Sequence, residues 1–140
     1  MVILLDTNVL SALMQTRPDA VVVAWLDAQP PESIWTTAVT VFEIRFGIEL
    51  LPPGRRRKAL EATFEDMLRE DLSGRVAAFD VAAAAEAATL AARRQRRGRP
   101  VELRDTQIAG IALARRAALA TRNVRHFDGL NVNVVSPWAG

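Results

Sequence analysis

The chain opens with Val2–Leu5, four apolar residues in a row, and then turns abruptly polar at Asp6, Thr7 and Asn8. Such a run is too short for a helix, and its lack of alternation predicts a strand buried on both faces. Helical spacing follows over Thr7–Met14 and Pro18–Ala28, the latter with proline near its first turn. Pro30 and Pro31 interrupt the chain before a short strand at Ser33–Trp35 and a helix over Ala38–Leu51, which Pro52, Pro53 and Gly54 end. Leu60, Phe64 and Leu68, at steps of four, mark an amphipathic helix over residues 55–71. After a Ser73-Gly74 turn, Val76–Phe79 reads as a strand. Asp80 is placed to cap an alanine-rich helix that runs to Arg97 and is closed by Gly98 and Pro100. A further helix over Leu103–Ala117 and strands at Leu119–Thr121 and Val132–Val135 complete the chain.

Strands alternating with helices imply crossover connections and a mostly parallel sheet covered on both faces. The 140 residues suffice for one such domain, with no linker or repeat to divide it. The expected architecture is therefore a single α/β domain over residues 1–140.

Composition narrows the chemistry. Cysteine is absent and His126 is the one histidine, which excludes disulfides, thiolate nucleophiles and multi-histidine zinc sites. Any metal must be held mainly by oxygen. No apolar run approaches a membrane span and no basic segment precedes the first one, so a cytoplasmic location and no membrane partner are expected. The pI of about 10.3 overstates the basicity, because the formal charge is only +2 and no tyrosine or cysteine titrates below the arginines. The clusters Arg55-Arg56-Arg57-Lys58 and Arg93-Arg94-Gln95-Arg96-Arg97 with Arg99 are more informative. They can neutralise phosphates along a polyanion, or serve only as solvated helix surface.

Three acids stand in unusual settings. Asp6 ends the first strand, where ligands of open parallel sheets bind, but Asp6 or Thr7 could equally be no more than the cap of the next helix, Thr7 being able to serve the helix while Asp6 faces the cleft. Glu43, in TTAVTVFEIRFG, is flanked by apolar residues; it either sits on a polar stripe beside Arg45 or is a partly buried carboxylate in need of a partner. Asp105, in ELRDTQIAGIALA, lies in a first helical turn, where the dipole favours acids, and shares a face with Ile108, Ala109 and Ala112. If the three meet, a cation must neutralise them. Carboxylates with water select Mg2+, or Mn2+ as a substitute, and phosphodiester hydrolysis is the chemistry such a centre serves.

The segments LLDTNVLSAL, TTAVTVFEIRFGIELLPPGRR, RDTQIAGIALA, and LATRNVRHF followed by NVVSPW resemble, in order and spacing, the PIN-domain ribonucleases, and among them the VapC/FitB-like toxins of type II toxin-antitoxin pairs. The resemblance covers nearly the whole chain. It implies an α/β/α sandwich and Mg2+-dependent cleavage of RNA, with Asp6, Glu43 and Asp105 as metal-binding acids. Thr7, Asn8, Thr121 and Asn123 become supporting polar residues. It further implies a homodimer held inactive by a cognate DNA-binding antitoxin.

The chain departs from the family's pattern at the fourth acidic position, since neither Asn123 nor His126 is an acid. Asn123 retains an amide oxygen, His126 offers a nitrogen or a phosphate contact, and Asp128 stands close enough in sequence to compensate. Fewer charges weaken a second metal more than the first, so one metal at rest is expected. On this reading Arg55, Arg56, Arg57, Arg94 and Arg97 are candidates to hold the RNA backbone. Trp25, Trp35 and Trp138 are assigned to core or interface rather than base stacking. Two other readings remain: a nucleic-acid-binding module of this fold with little catalysis, and a phosphatase with Asp6 as nucleophile, against which Asn8 replaces the usual second acid.

Overall fold

The computed structural model describes residues 1–99 and 102–139. Along them run β1 (Ile3–Leu5), α1 (Thr7–Leu13), α2 (Ala20–Asp27), β2 (Ile34–Thr37), α3 (Ala38–Glu49), α4 (Arg55–Asp66), β3 (Val76–Ala77), α5 (Val81–Arg96), α6 (Leu103–Arg115), β4 (Ala118–Ala120) and β5 (Asn133–Val135). The sheet order is β3-β2-β1-β4-β5, and every pairing is parallel. The chain therefore builds outward from β1 on one side, then crosses back and builds outward on the other. This reversal makes the carboxyl end of β1 the topological switch point, where open parallel sheets form their ligand crevice.

Consecutive strand residues point to opposite faces, and the core divides accordingly. Leu4 and Leu119 pack with Ala83 and Leu90 of α5 and with Ile108, Ile111 and Ala112 of α6. Leu5 and Ala120 pack instead with Val9 and Leu10 of α1, Val22 of α2, Ile44 and Ile48 of α3, and Phe64 of α4. The result is the expected α/β/α sandwich, with all strands parallel.

Boundaries differ from the sequence reading where side-chain packing overrides local pattern. Residues 55–71 do not form one regular helix: α4 ends at Asp66 and the next five residues make a π-helical turn, with the Leu72 N–H bonded to the Met67 carbonyl at 2.9 Å. A regular helix sets residues five apart about 140° from one another. The wider turn brings Leu72 back to the face of Met67, and both are buried. At α2, Pro18 lies outside the helix and Asp19 caps it. The strand expected at Val76–Phe79 is two residues long. Gly98 takes a positive φ just after α5, whereas the expected role of Pro100 falls outside the described residues.

The tightest helix contact is between α5 and α6. A Cβ added at Gly110 would lie 2.5 Å from the Ala83 carbonyl oxygen and 2.8 Å from the Ala87 Cβ. Glycine is required there by close approach, and the approach fixes where the N-terminal turn of α6 delivers Asp105.

Candidate metal centre

Asp6 follows directly on β1, and its N–H pairs with the Ala120 carbonyl at 2.9 Å, extending the sheet by one rung. Only 6% of it is exposed. Oδ1 accepts from the Thr7 N–H at 2.8 Å, capping α1, while Oδ2 accepts from the Thr121 hydroxyl at 2.7 Å and the Asn8 amide at 3.4 Å. The cap is thus Asp6 itself and not Thr7. Cap and cleft-facing carboxylate are the same residue, because both oxygens are held by donors from α1 and the end of β4.

Thr7 is freed for another task, and its hydroxyl donates to Glu43 Oε1 at 2.9 Å. Asn8 braces the floor: Nδ2 donates to Thr121 Oγ1 at 3.2 Å and Oδ1 accepts from the Arg122 N–H at 2.9 Å. The fully buried Thr121 hydroxyl also accepts from the Asn123 N–H at 3.1 Å. Thr7, Asn8 and Thr121 occupy the supporting positions the sequence suggested, and Asn123 joins them through its backbone.

Glu43 is not the surface partner of Arg45, which turns to Glu65. Its Oε2 lies 3.6 Å from Arg104 Nη1. The apolar flanks of Glu43 are less buried than the sequence implied, since Phe42 and Phe46 are exposed and stack with Arg104 over both rings. Asp105 meets His126, with Oδ2 and Nδ1 3.1 Å apart. His126 therefore contacts the third acid from one of the two positions at which the resemblance implies a fourth. Asp128 does not compensate: it lies with Arg93, Arg94, Arg97 and Arg99 around a separate, smaller cavity.

Asp6, Glu43 and Asp105 line one open cleft of about 860 Å³, together with Asn123, His126 and Glu102. Burial pushes the Glu43 carboxyl above its ordinary value, and the charges of Asp6 and Asp105 add to this against the Thr7 hydrogen bond and Arg104. Burial likewise raises Asp105, with Asp6 adding and His126 opposing. The cleft thus holds mutually repelling, partly desolvated carboxylates, which is the condition a cation relieves. Among the described residues no three acid or histidine side chains stand close enough to form a ready-made ligand cage. Mg2+ takes one or two carboxylates directly and keeps several waters, a demand that this donor set meets.

The arginine clusters do not line this cleft. Arg57 is engaged by Glu49 and Glu61, and Arg94 donates to the His126 carbonyl at 3.1 Å. Cleft residues that sequence reasoning missed are Glu102, Arg17, Asp19 and Arg122. Glu102 had a signal, standing one turn before Asp105 and capping α6. Arg122 had a weaker one, its place beside Thr121 at a strand end.

A model of the PIN domain matches residues 3–131. The chain belongs to the PIN-domain family. It is 38% identical to VapC ribonuclease Y4jK of Sinorhizobium fredii over 136 residues, covering 97% of each chain. It is 35% identical to toxin FitB of Neisseria gonorrhoeae over 136 residues, covering 97% of this chain and 98% of FitB. Among solved structures, FitAB bound to an IR36 DNA fragment superposes with a TM-score of 0.86 at 34% identity, over 97% of this chain and 95% of that one. This PIN domain is thus of the VapC/FitB toxin type, and it carries its acids on the same framework that the resemblance in its sequence implied.

Proposed function

We propose that the chain is a Mg2+-dependent endoribonuclease acting as the toxin of a type II toxin-antitoxin pair. The observation that carries this reading is that Asp6, Glu43 and Asp105 all line the switch-point cleft, with Glu43 and Asp105 raised by burial and by neighbouring charge. Similarity to a VapC ribonuclease and to toxin FitB supports the class.

Asp6 and Asp105 would hold the ion, with Glu43 beside it and Mn2+ as a substitute. When bound, the ion would lower the pKa of water for attack on phosphorus and offset charge on the phosphate oxygens. The protein's own part is positioning. Thr121 and Asn8 hold one Asp6 oxygen and the Thr7 N–H the other, Thr7 orients Glu43, and His126 orients Asp105. With neither Asn123 nor His126 an acid, one ion at rest is the state this charge supports.

The partners that follow are a cognate DNA-binding antitoxin, as the FitAB–DNA complex suggests, and a second copy of the chain in a homodimer, with the cytoplasm as the place of action. No described helix is long and apolar enough to cross a membrane. The phosphatase reading loses ground because Asn8, at the position of a second acid, is spent on Asp6, Thr121 and the Arg122 N–H.

The test is incubation of the purified chain with RNA and Mg2+, beside EDTA and Asp6→Asn controls. Cleavage in the first alone is expected. RNA bound but never cut would favour the non-catalytic module, and cleavage persisting in both controls would refute the metal-centre reading.

A further inference from the structure

The cleft is acidic at its centre, yet the ligand proposed for it is a polyanion, so a cation on the wall must offset the repulsion. Of the arginines lining it, Arg122 is held in place, whereas the Arg17 side chain makes no hydrogen bond, ion pair or ring contact among the described residues. The Arg122 guanidinium lies 4.0 Å from the Trp138 ring centroid. Trp138 is itself fixed, its indole N–H donating to Asp19 Oδ2 at 2.9 Å, while Asp19 Oδ1 accepts from the Val21 N–H at 3.0 Å as the cap of α2. The backbone of Arg122 is anchored as well, through its N–H to Asn8 Oδ1 at 2.9 Å, and Asn8 touches Asp6.

The Asp19 carboxylate lies near enough to Arg122 to feel its charge, but its oxygens are taken by the indole and the helix cap. Among the described residues Arg122 has no carboxylate within 4.0 Å, in contrast to Arg57 and Arg45. Nor, among the described residues, does its guanidinium donate a hydrogen bond, its contact being the Trp138 ring. An aromatic face beneath the guanidinium restrains it without consuming those donors. A planar donor fork, pre-oriented, exposed and one residue from a buried metal-site threonine, matches a phosphodiester oxygen pair.

Resting on the nuclease reading above, we infer that Arg122 binds a phosphate of the RNA strand in the cleft, with Trp138 and Asp19 as positioning residues. The C-terminal segment thereby acquires a task at the site, since Trp138 lies beyond the last strand and reaches back to α2. An acidic segment of a partner protein presents similar charge, but it offers no phosphodiester on which the acidic side of the cleft could act.

The experiment uses the whole chain carrying Asp6→Asn, a variant expected not to cut, and a fluorescein-labelled single-stranded RNA, with anisotropy followed over a salt series. Arg122→Gln is expected to weaken binding about tenfold and to lower the slope of log K against log salt by about one, with an unchanged melting temperature. Arg122→Lys should keep the slope and recover only part of the affinity. Trp138→Phe, which keeps the ring and loses the N–H, should fall between. Arg122→Gln binding like its parent would overturn the inference alone, as would a loss of affinity that merely tracks a loss of melting temperature. A labelled polyglutamate peptide that loses affinity where RNA does not would also overturn it, in favour of an acidic protein partner. Absence of RNA binding by the parent would overturn the nuclease reading together with this inference.

Discussion

Thr121 shows how much of the centre rests on one hydroxyl. It is fully buried, donates to Asp6 and accepts from Asn8 and Asn123. Thr121→Val keeps the shape and removes the donor, leaving a buried carboxylate oxygen with only the longer Asn8 contact; the expected cost is about 1.5–3 kcal/mol in urea unfolding. RNA cleavage should fall with it, and Thr121→Ser should restore both. Asp6 stood out in the sequence as a carboxylate directly after a buried apolar run, although that position left helix cap and cleft carboxylate equally open. What could not be read was the division of labour beside it. Thr7 appeared suited to the cap, but its hydroxyl is taken by Glu43, 36 positions away, a partner that only the fold supplies. Arg122 was missed for the same reason, since its meaning depends on Trp138 arriving from beyond β5.

Helices and strands were legible wherever periodicity was long, and misread where two faces of one helix were both apolar. In α3, Ile44 and Ile48 face the core while Phe42, Phe46 and Leu50, also four apart, face outward. Counting apolar neighbours along the chain merged two stripes that a 3.6-residue period separates. Glu43 sits between them at the cleft edge. The α5–α6 contact is a different case, because glycine in RDTQIAGIALA signals close approach only once the opposing helix is known. Gly110→Ala places a methyl carbon against backbone atoms of α5 that cannot rotate away. It is expected to cost about 1–3 kcal/mol, measured by chemical denaturation, and to displace the Asp105 end of α6 enough to impair cleavage. An unchanged midpoint would mean that the two helices separate without penalty.

The fold and its acidic centre pull against each other in the absence of a cation. Glu43 and Asp105 are raised above their ordinary values of 4.5 and 3.8, so the folded chain holds these protons to higher pH than the unfolded chain does. The contribution of these two groups to metal-free stability then falls as pH rises from those ordinary values through the raised ones, and stays lower above. Glu43→Gln, whose amide oxygen still accepts from Thr7, is expected to raise the metal-free melting temperature at neutral pH. Both groups are partly solvated, which limits the gain to below about 1 kcal/mol, or about 1–3 °C. The gain should vanish well below pH 4.5, where the carboxyl is protonated in both states. A melting temperature lowered by Glu43→Gln at neutral pH would show that the carboxylate stabilises the chain without a cation. The sequence showed the three acids and the resemblance grouped them, but the desolvation that would favour a cation there comes from burial, which no spacing reveals.

Cation binding at this cleft is the core of the proposed reading, and direct measurement of Mn2+ binding by electron paramagnetic resonance tests it, comparing the wild-type chain with Asp6→Asn. The substitution keeps a capping side chain at the start of α1, so a difference reports on the metal site and not on the helix. Saturable uptake of one Mn2+ per chain is expected, weakened by about 10–100-fold or more in Asp6→Asn. Equal uptake by the two proteins, or none by either, would contradict it.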